Sequence, residues 1–278
     1  HAAVDMAIYD VIGKVREVPV YTVLGGAYHT EMETCTTLPD GSPDECASAA
    51  VRFSESGFRG CKVKIGNRTF LDVHDDSLEK QKILRVLASV GQEVQVDVCA
   101  DQFWPNVQQA RNFFTSILED HFYGNLALEQ PLHHLDIEGH AELSEVLPVS
   151  IILTESVTSP EAMMLIVKAL AADNVVLNIN RVGGLTSARQ IINICEAAAI
   201  GVSFGSRAST KLGDAAHAHL ASTVRDPLPI DVLGHLAFEE APFSGGFDIG
   251  SGRVIMGDKP GFGVELDEEV LRKLTVDL

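Results

Sequence analysis

The feature that most constrains the fold of this 278-residue chain is a regular alternation of two hydrophobic patterns. From about residue 31, short β-rich runs are followed by longer segments whose apolar residues have helical spacing. The β-rich runs lie near residues 31–37, 60–65, 93–99, 125–129, 149–154, 174–179, 201–205 and 229–233. The helical patterns lie near residues 43–56, 76–90, 106–121, 136–146, 160–171, 185–199 and 210–223. Strands that alternate with helices form parallel sheets, and eight such repeats predict a closed α/β barrel of the TIM type.

An open, doubly wound parallel sheet is the main alternative to a barrel. It is disfavoured because no G-x-G-x-x-G turn follows the first predicted strand. Outside the alternation, residues 2–14 have the apolar spacing of an amphipathic helix. The segment after residue 235 is rich in glycine, and residues 267–274 are predicted to form a terminal helix.

The net charge disfavours two classes of partner, and the cysteine content indicates the cellular compartment. The formal net charge of −18 disfavours binding to nucleic acid or to an anionic membrane through a broad basic face. No apolar run is long enough to span a bilayer. The five cysteines contain no CxxC pair, and this pattern is typical of a protein in a reducing compartment. We therefore expect a cytoplasmic protein. The chain begins with His1 rather than Met, as expected of a fragment or a processed product.

Two lysines, Lys62 and Lys64, stand two residues apart in the second β-rich run. Side chains alternate between the two faces of a strand, so both lysines share one face. A lysine on an inner face is costly unless an anionic group lies opposite it. Taken alone, the pair favours an exposed edge strand, because lysine is depleted within sheets.

The strands that follow also end in polar residues, which changes this interpretation. They are Asp97, Cys99 and Asp101 after the third run, Glu129 after the fourth, Glu155 after the fifth, Asn178 and Asn180 in the sixth, Ser206 after the seventh and Asp231 in the eighth. In a barrel, catalytic groups lie where the strands end. Converging carboxylates are the oxygen ligands that Mg²⁺ prefers, and a lysine beside the metal can serve as a general base.

An ordered series of motifs carries a family resemblance. The motifs are AVDMAIYD at residues 3–10, VLGG at 23–26, KVK at 62–64, LEQP at 128–131, ESV at 155–157, NRVGGLT at 180–186 and PGFGV at 260–264. The series resembles the enolase superfamily, in its mandelate racemase/muconate lactonising branch, and the KxK motif is similar to that of the muconate lactonising subgroup. The resemblance covers essentially the whole chain.

The resemblance implies a modified (β/α)₇β barrel with an α+β capping domain. Residues 1–28 then correspond to the last helix of that domain and a linker, residues 29–235 to the barrel, and residues 236–278 to the C-terminal return segment. Most of the capping domain is expected to be missing from this sequence. Apolar surface that such a domain normally covers would then be exposed, so we expect a homo-oligomer.

The resemblance also implies a chemistry, which is Mg²⁺-dependent abstraction of a proton next to a carboxylate. Lys64 matches the family's base, and Lys62 matches the lysine that holds the substrate carboxylate. Glu129 matches the second metal ligand. Asn178 and Ser206, at later strand ends, are the predicted substrate contacts.

This sequence departs from the family pattern at three places. Anchoring the third-strand motif on Gln102 and Trp104 puts Cys99 at a metal-ligand position, and sulfur is a soft, poor ligand for Mg²⁺. Asp101, or Asp97 after a register shift, is the predicted replacement. In the fifth strand Thr154 replaces the ligand Asp, so Glu155 is expected to substitute. In the sixth strand the family's second catalytic lysine falls on Asn178, and an amide cannot exchange a proton at neutral pH.

These departures lead to three hypotheses about function. The preferred one is a one-base lyase (dehydratase) or cycloisomerase that uses Lys64 on a small carboxylic acid, with Mg²⁺ bound weakly or lost. The second is a degenerate, non-catalytic barrel that serves as a binding or assembly module. The third is an amino-acid racemase or epimerase, which is disfavoured because it needs a second base on the opposite face of the carbon.

Overall fold

The computed structural model describes residues 1–66, 76–118 and 123–275. Its strands are β1 Glu31–Glu33, β2 Cys35–Thr37, β3 Gly60–Lys64, β4 Gln95–Cys99, β5 Leu126–Glu129, β6 Ser150–Leu153, β7 Asn174–Leu177, β8 Gly201–Phe204, β9 Phe243–Gly245, β10 Phe247–Gly250, β11 Arg253–Met256 and β12 Val264–Leu266. Its α-helices are α1 Ala2–Val15, α2 Val20–Val23, α3 Pro43–Glu55, α4 Asp76–Ser89, α5 Val107–Leu118, α6 Ile137–Val146, α7 Pro160–Ala169, α8 Ile179–Val182, α9 Leu185–Ala197, α10 Lys211–Ala221 and α11 Glu268–Leu274. A short 3₁₀ helix spans Gly234–Ala237.

Local sequence signals explain where several helices begin. Ser42 and Glu45 form a reciprocal capping box at the start of α3, and proline follows as the first helical residue. Ser159 caps α7 in the same position before a proline, by accepting a hydrogen bond from the Ala162 N–H. These predicted starts are confirmed. Residues 119–121, the end of the helix predicted at 106–121, lie outside the described residues.

Seven parallel strands form one sheet in the order β2-β3-β4-β5-β6-β7-β8, which is also their order along the chain. A doubly wound sheet reverses its strand order at a switch point, so this topology favours the barrel over the alternative. The register places Lys64 beside Cys99, and Cys99 beside Glu129. These three residues therefore lie next to one another at the carboxyl ends of β3, β4 and β5.

The first and last of the predicted strands differ most from the structure. The run at 31–37 is interrupted at Thr34, whose N–H donates to the Gly252 carbonyl, and β1 pairs antiparallel with β11. The strand predicted at 229–233 is present only as isolated bridges, including Thr34 to Ile230 and Gly205 to Asp231. Proline has no N–H to donate to a ladder, and prolines at positions 227 and 229 limit the pairing here.

The chain divides into two compact units. One comprises His1–Thr34, Leu177–Ile192 and Val202–Leu278, and the other comprises Cys35–Val176 and Asn193–Gly201. The second unit, called the lysine unit below, contains β3 to β6 entire and is packed on buried apolar residues such as Ala127 and Ile152. The predicted division at residues 28 and 235 stays a prediction.

Helix α1 carries an exposed apolar stripe, as the sequence predicts. Val4, Ile8, Val11 and Val15 follow helical spacing, and each is more than half exposed. Such a stripe is typical of a surface that meets another protein, so a homo-oligomer remains our prediction. Among the described helices, none combines the length and the hydropathy that crossing a membrane requires.

Candidate active site

Lys62 and Glu129 form a buried ion pair within the lysine unit. Lys62 Nζ lies 2.7 Å from Glu129 Oε2, and each side chain is only 6% exposed. Burial acts to raise the pKa of the Glu129 carboxyl, but the Lys62 ammonium outweighs it and holds that pKa below its usual value. Strand β3 lies between β2 and β4, so the edge-strand interpretation of the two lysines is wrong. Glu129 is the anionic group that an inner-face lysine requires.

Lys64 binds a different pair of groups. Its ammonium donates to Asp101 Oδ2 at 2.8 Å and to Cys99 Sγ at 2.9 Å. Burial acts to lower the pKa of Lys64, but Cys99 and Asp101 together raise it to about 12. The like charge of Lys62 on the same strand face predicts a lowered pKa for Lys64, and that prediction is wrong, because Glu129 neutralises Lys62. At neutral pH the resting Lys64 side chain carries its proton.

Cys99 connects the two ion pairs. Its sulfur is buried and lies 3.3 Å from Glu129 Oε1 and 3.5 Å from Asp101 Oδ1. Burial and the nearby Glu129 carboxylate raise the pKa of this thiol well above its usual value, against the opposing effect of the two lysines. Cys99 is therefore a neutral thiol that donates to carboxylates at neutral pH.

The predicted magnesium ligands do not converge in a way that fits the ion. Glu129 and Asp101 each hold a lysine ammonium, and the residue between them offers sulfur rather than a hard oxygen. Asp97 accepts a hydrogen bond from Gln95 Nε2 at 2.7 Å, and Glu155 is half-buried in the turn after β6. Over the described ranges, no three His, Cys, Asp or Glu side chains are placed to hold a metal.

The two predicted substrate contacts lie in the other unit. Asn178 caps α8: its Oδ1 accepts from the Asn180 and Arg181 N–H groups, and its Nδ2 donates to the Gly205 carbonyl. The N–H of Ser206 donates to the Asp231 carbonyl at 3.0 Å. The amide groups of Asn178 are thus engaged in local structure, and the roles of both residues in binding remain predictions.

A buried glutamine that the sequence analysis passed over organises the strand ends. Gln130 Oε1 accepts from the Thr154 and Ser156 N–H groups, and Nε2 donates to Ser156 Oγ at 2.8 Å. It thereby ties the end of β5 to the turn that carries Glu155. Its position directly after Glu129, in the motif LEQP, was the available signal.

A cavity of about 450 Å³ opens beside Lys64. Its lining, among the described residues, consists of Lys64, Ile65, Gly66, Ala100, Asp101, Gln102 and Phe103. The size is within the range of small-molecule sites, roughly 300–1,000 Å³. The Lys64 side chain is 35% exposed, so the cavity gives a small ligand access to its ammonium.

Comparison with known families and proteins shows which enzymes this chain is similar to. The family model described as "Enolase C-terminal domain-like" matches residues 45–270. The L-Ala-D/L-Glu epimerase of Bacillus subtilis is 30% identical over 265 residues, which are 95% of this chain and 69% of the relative. The N-succinyl-L-Arg/Lys racemase of Bacillus cereus is 28% identical over 99% of this chain and 71% of its own length. Muconate cycloisomerase 1 of Rhodococcus opacus is 26% identical, again over 99% and 71%.

Solved structures give the same result for the fold. The substrate-liganded Bacillus subtilis epimerase superposes with a TM-score of 0.85 at 29% identity, covering 95% of this chain and 71% of that one. A dipeptide epimerase from Enterococcus faecalis, complexed with Mg and the dipeptide L-Leu-L-Tyr, gives 0.84 at 26% identity, covering 95% and 72%. The predicted TIM-type α/β fold is therefore confirmed.

Proposed function

Since the chain belongs to the enolase superfamily, in its mandelate racemase/muconate lactonising branch, we propose that it binds a small carboxylic acid and exchanges the proton next to the carboxylate. The relatives are named as epimerases, racemases and cycloisomerases, which supports an isomerase type of activity. The observation that carries the proposal is Lys64, an amine at a strand end that borders an open cavity.

Lys64 is the proposed proton carrier. Its ammonium exchanges protons with solvent through the cavity and delivers one to the substrate carbon when it acts as an acid. To act as a base it must first give up its proton, which requires its contact with Asp101 to loosen, because that contact raises the pKa of the amine. When Asp101 moves away from the ammonium, the proton passes to solvent in the cavity and leaves the neutral amine that a base requires.

A single proton carrier limits the reaction type. Asn178 stands at the position of the family's second catalytic lysine and cannot carry a proton. Racemisation needs proton transfer on both faces of the carbon, whereas dehydration or cycloisomerisation on one face needs only Lys64. We therefore propose a one-base lyase or cycloisomerase in preference to a racemase or epimerase.

We keep only part of the predicted role of Mg²⁺. Asp101, Glu129, Glu155 and Asp97 remain the proposed ligands of a Mg²⁺ ion that this chain binds weakly or has lost. As they stand, these residues do not fit the ion, so no step of the proposal depends on it.

A second candidate function is binding without catalysis. The observation that favours it is the pairing of both lysines with carboxylates, which neutralises the site and keeps Lys64 protonated. A barrel of this kind still binds a small acid through the Lys64 ammonium.

Hydrogen exchange distinguishes the two candidates. The chain is incubated in D₂O with a dipeptide or an N-succinylamino acid, the compound classes in the relatives' names, and deuterium at the α-carbon is followed by NMR. We expect label to enter with the configuration retained, and to be lost in Lys64→Met. The control is Lys259→Met, which removes an exposed lysine paired with Glu265.

Label entering both faces, or label surviving in Lys64→Met, contradicts the one-base proposal. Binding of the acid without any exchange supports the second candidate. Chiral chromatography of the recovered acid measures the first outcome, and titration calorimetry measures the second.

A further inference from the structure

Phe103 forms an aromatic wall of the cavity that contains Lys64. It belongs to a loop that follows β4 and is fixed by backbone hydrogen bonds. The Gln102 N–H donates to the Gln130 carbonyl at 2.8 Å, and the Trp104 N–H donates to the Pro131 carbonyl at 3.1 Å. The residues on either side of Phe103 are thus fastened to the segment after β5.

The backbone before Phe103 adopts a sparsely populated conformation. Asp101 and Gln102 both have positive φ, at 46° and 65°, in the left-handed region that non-glycine residues seldom occupy. Two such residues in succession are held only where the surroundings determine them, and they cluster at functional sites. Here they turn the chain so that Phe103 faces the end of β3.

Gly66 allows this close approach. It lies two residues after Lys64, has φ +69°, and a side-chain carbon at this position would overlap the Phe103 ring. The ring also meets Trp104 edge to face, at 5.4 Å between centroids. The contacts with Gly66 and Trp104 therefore hold the aromatic ring beside the lysine.

The polar side chains of the same loop are already engaged. Asp101 holds Lys64, and Gln102 Oε1 accepts from the His134 N–H at 2.8 Å and lies 2.9 Å from the His134 ring Nδ1. Ile65 and Ala100 are almost fully buried, whereas Phe103 is half-buried. Among the described lining residues, Phe103 is thus the main apolar surface that a molecule beside Lys64 meets.

We propose that Phe103 determines specificity, and that the preferred ligand is a small carboxylic acid with an aromatic or bulky apolar group close to its carboxylate. This inference rests on the proposed function, because it assumes that Lys64 receives the carboxylate. An aromatic contact is worth about 0.5–1.5 kcal/mol, which corresponds to roughly a 2- to 13-fold difference in affinity.

The test compares phenylacetate with acetate as ligands of the intact chain. Dissociation constants come from titrations followed by ligand-observed NMR at one ionic strength. We expect phenylacetate to bind about 10-fold more tightly than acetate, in line with one aromatic contact. Phe103→Ala should bring the two affinities together by weakening phenylacetate alone, and Phe103→Leu should give an intermediate ratio.

Phe58→Ala is the matched control, because Phe58 is also half-buried and packs edge to face on another ring, at 5.2 Å from Phe53, yet does not line the cavity. It should leave the ratio unchanged. Two outcomes overturn this inference and leave the proposed function standing. One is equal binding of the two acids by the parent chain, and the other is a preference for phenylacetate that survives Phe103→Ala. Binding of neither acid overturns both.

Discussion

Removing the charge of Lys62 should destabilise the lysine unit strongly. Lys62→Met keeps the length and the apolar stem of the side chain and deletes only the ammonium. Glu129 then remains as a carboxylate that is 6% exposed and has lost its 2.7 Å ionic contact. The Cys99 thiol still donates to its other oxygen at 3.3 Å, but a neutral donor does not replace a cation.

The expected loss follows from the burial of the pair. Breaking a buried ion pair from one side costs about 3–5 kcal/mol, because the remaining charge is uncompensated. The neighbouring Lys64–Asp101 pair is a matched contrast, since its side chains are 35% and 46% exposed. Exposed pairs are worth about 0–1 kcal/mol, so Asp101→Asn should cost much less than Lys62→Met.

The pH dependence of the free energy of unfolding gives a second test of the Lys62–Glu129 pair. In the parent chain the folded pKa of Glu129 is below its unfolded value, so its contribution is present above the unfolded pKa and is lost as pH falls through the folded pKa. In Lys62→Met, burial is no longer opposed by Lys62, and the folded pKa rises. The deficit of the variant should therefore be largest above the raised pKa of Glu129 in the variant, and should shrink as pH falls through that pKa and then through the lowered pKa of Glu129 in the parent chain.

Urea unfolding followed by tryptophan fluorescence measures this unit directly. The chain has a single tryptophan, Trp104, which is 4% exposed and lies in the lysine unit. The double variant Lys62→Met/Glu129→Leu should recover most of the loss, because it leaves no unpaired charge. A loss below about 1 kcal/mol in Lys62→Met, the level of an exposed pair, would refute the reasoning, as would a double variant whose losses simply add.

Three further predictions concern other parts of the chain. Leu170 has φ +56° and is 79% exposed, so Leu170→Gly should stabilise the folded chain by about 1 kcal/mol. Leu165→Gly, inside α7, should destabilise it by a similar amount, and thermal unfolding followed by circular dichroism measures both. Cys99→Asp should bind Mg²⁺ more tightly than the parent chain in a calorimetric titration, because a hard oxygen replaces sulfur; equal affinity contradicts the ligand argument. Ile8→Lys and Val11→Lys should reduce self-association measured by light scattering, since both residues belong to the exposed stripe of α1. An unchanged particle mass argues against this stripe as the contact between copies of the chain.

The sequence was sufficient to predict the fold and the strand ends that carry the site. Helical spacing and β-rich runs are local properties, and they persist because each element buries its own apolar face. The same-face arrangement of Lys62 and Lys64 follows from the period of a strand alone. The family motifs added the expectation that Glu129 lies close to the lysines, and the structure brings Glu129 to Lys62.

Only the tertiary structure decided how these groups pair. Lys62 and Glu129 are 67 positions apart, and Lys64 and Cys99 are 35 apart, so their contacts depend on the register of neighbouring strands. That register gives each lysine its own carboxylate, and for this reason the pKa of Lys64 is raised rather than lowered. The position of Phe103 over Gly66 was equally inaccessible to pattern analysis, since it depends on two left-handed residues and on hydrogen bonds to the next strand end. Charge pairing and ring placement are set by distances of a few ångströms between remote residues, which a one-dimensional pattern does not contain.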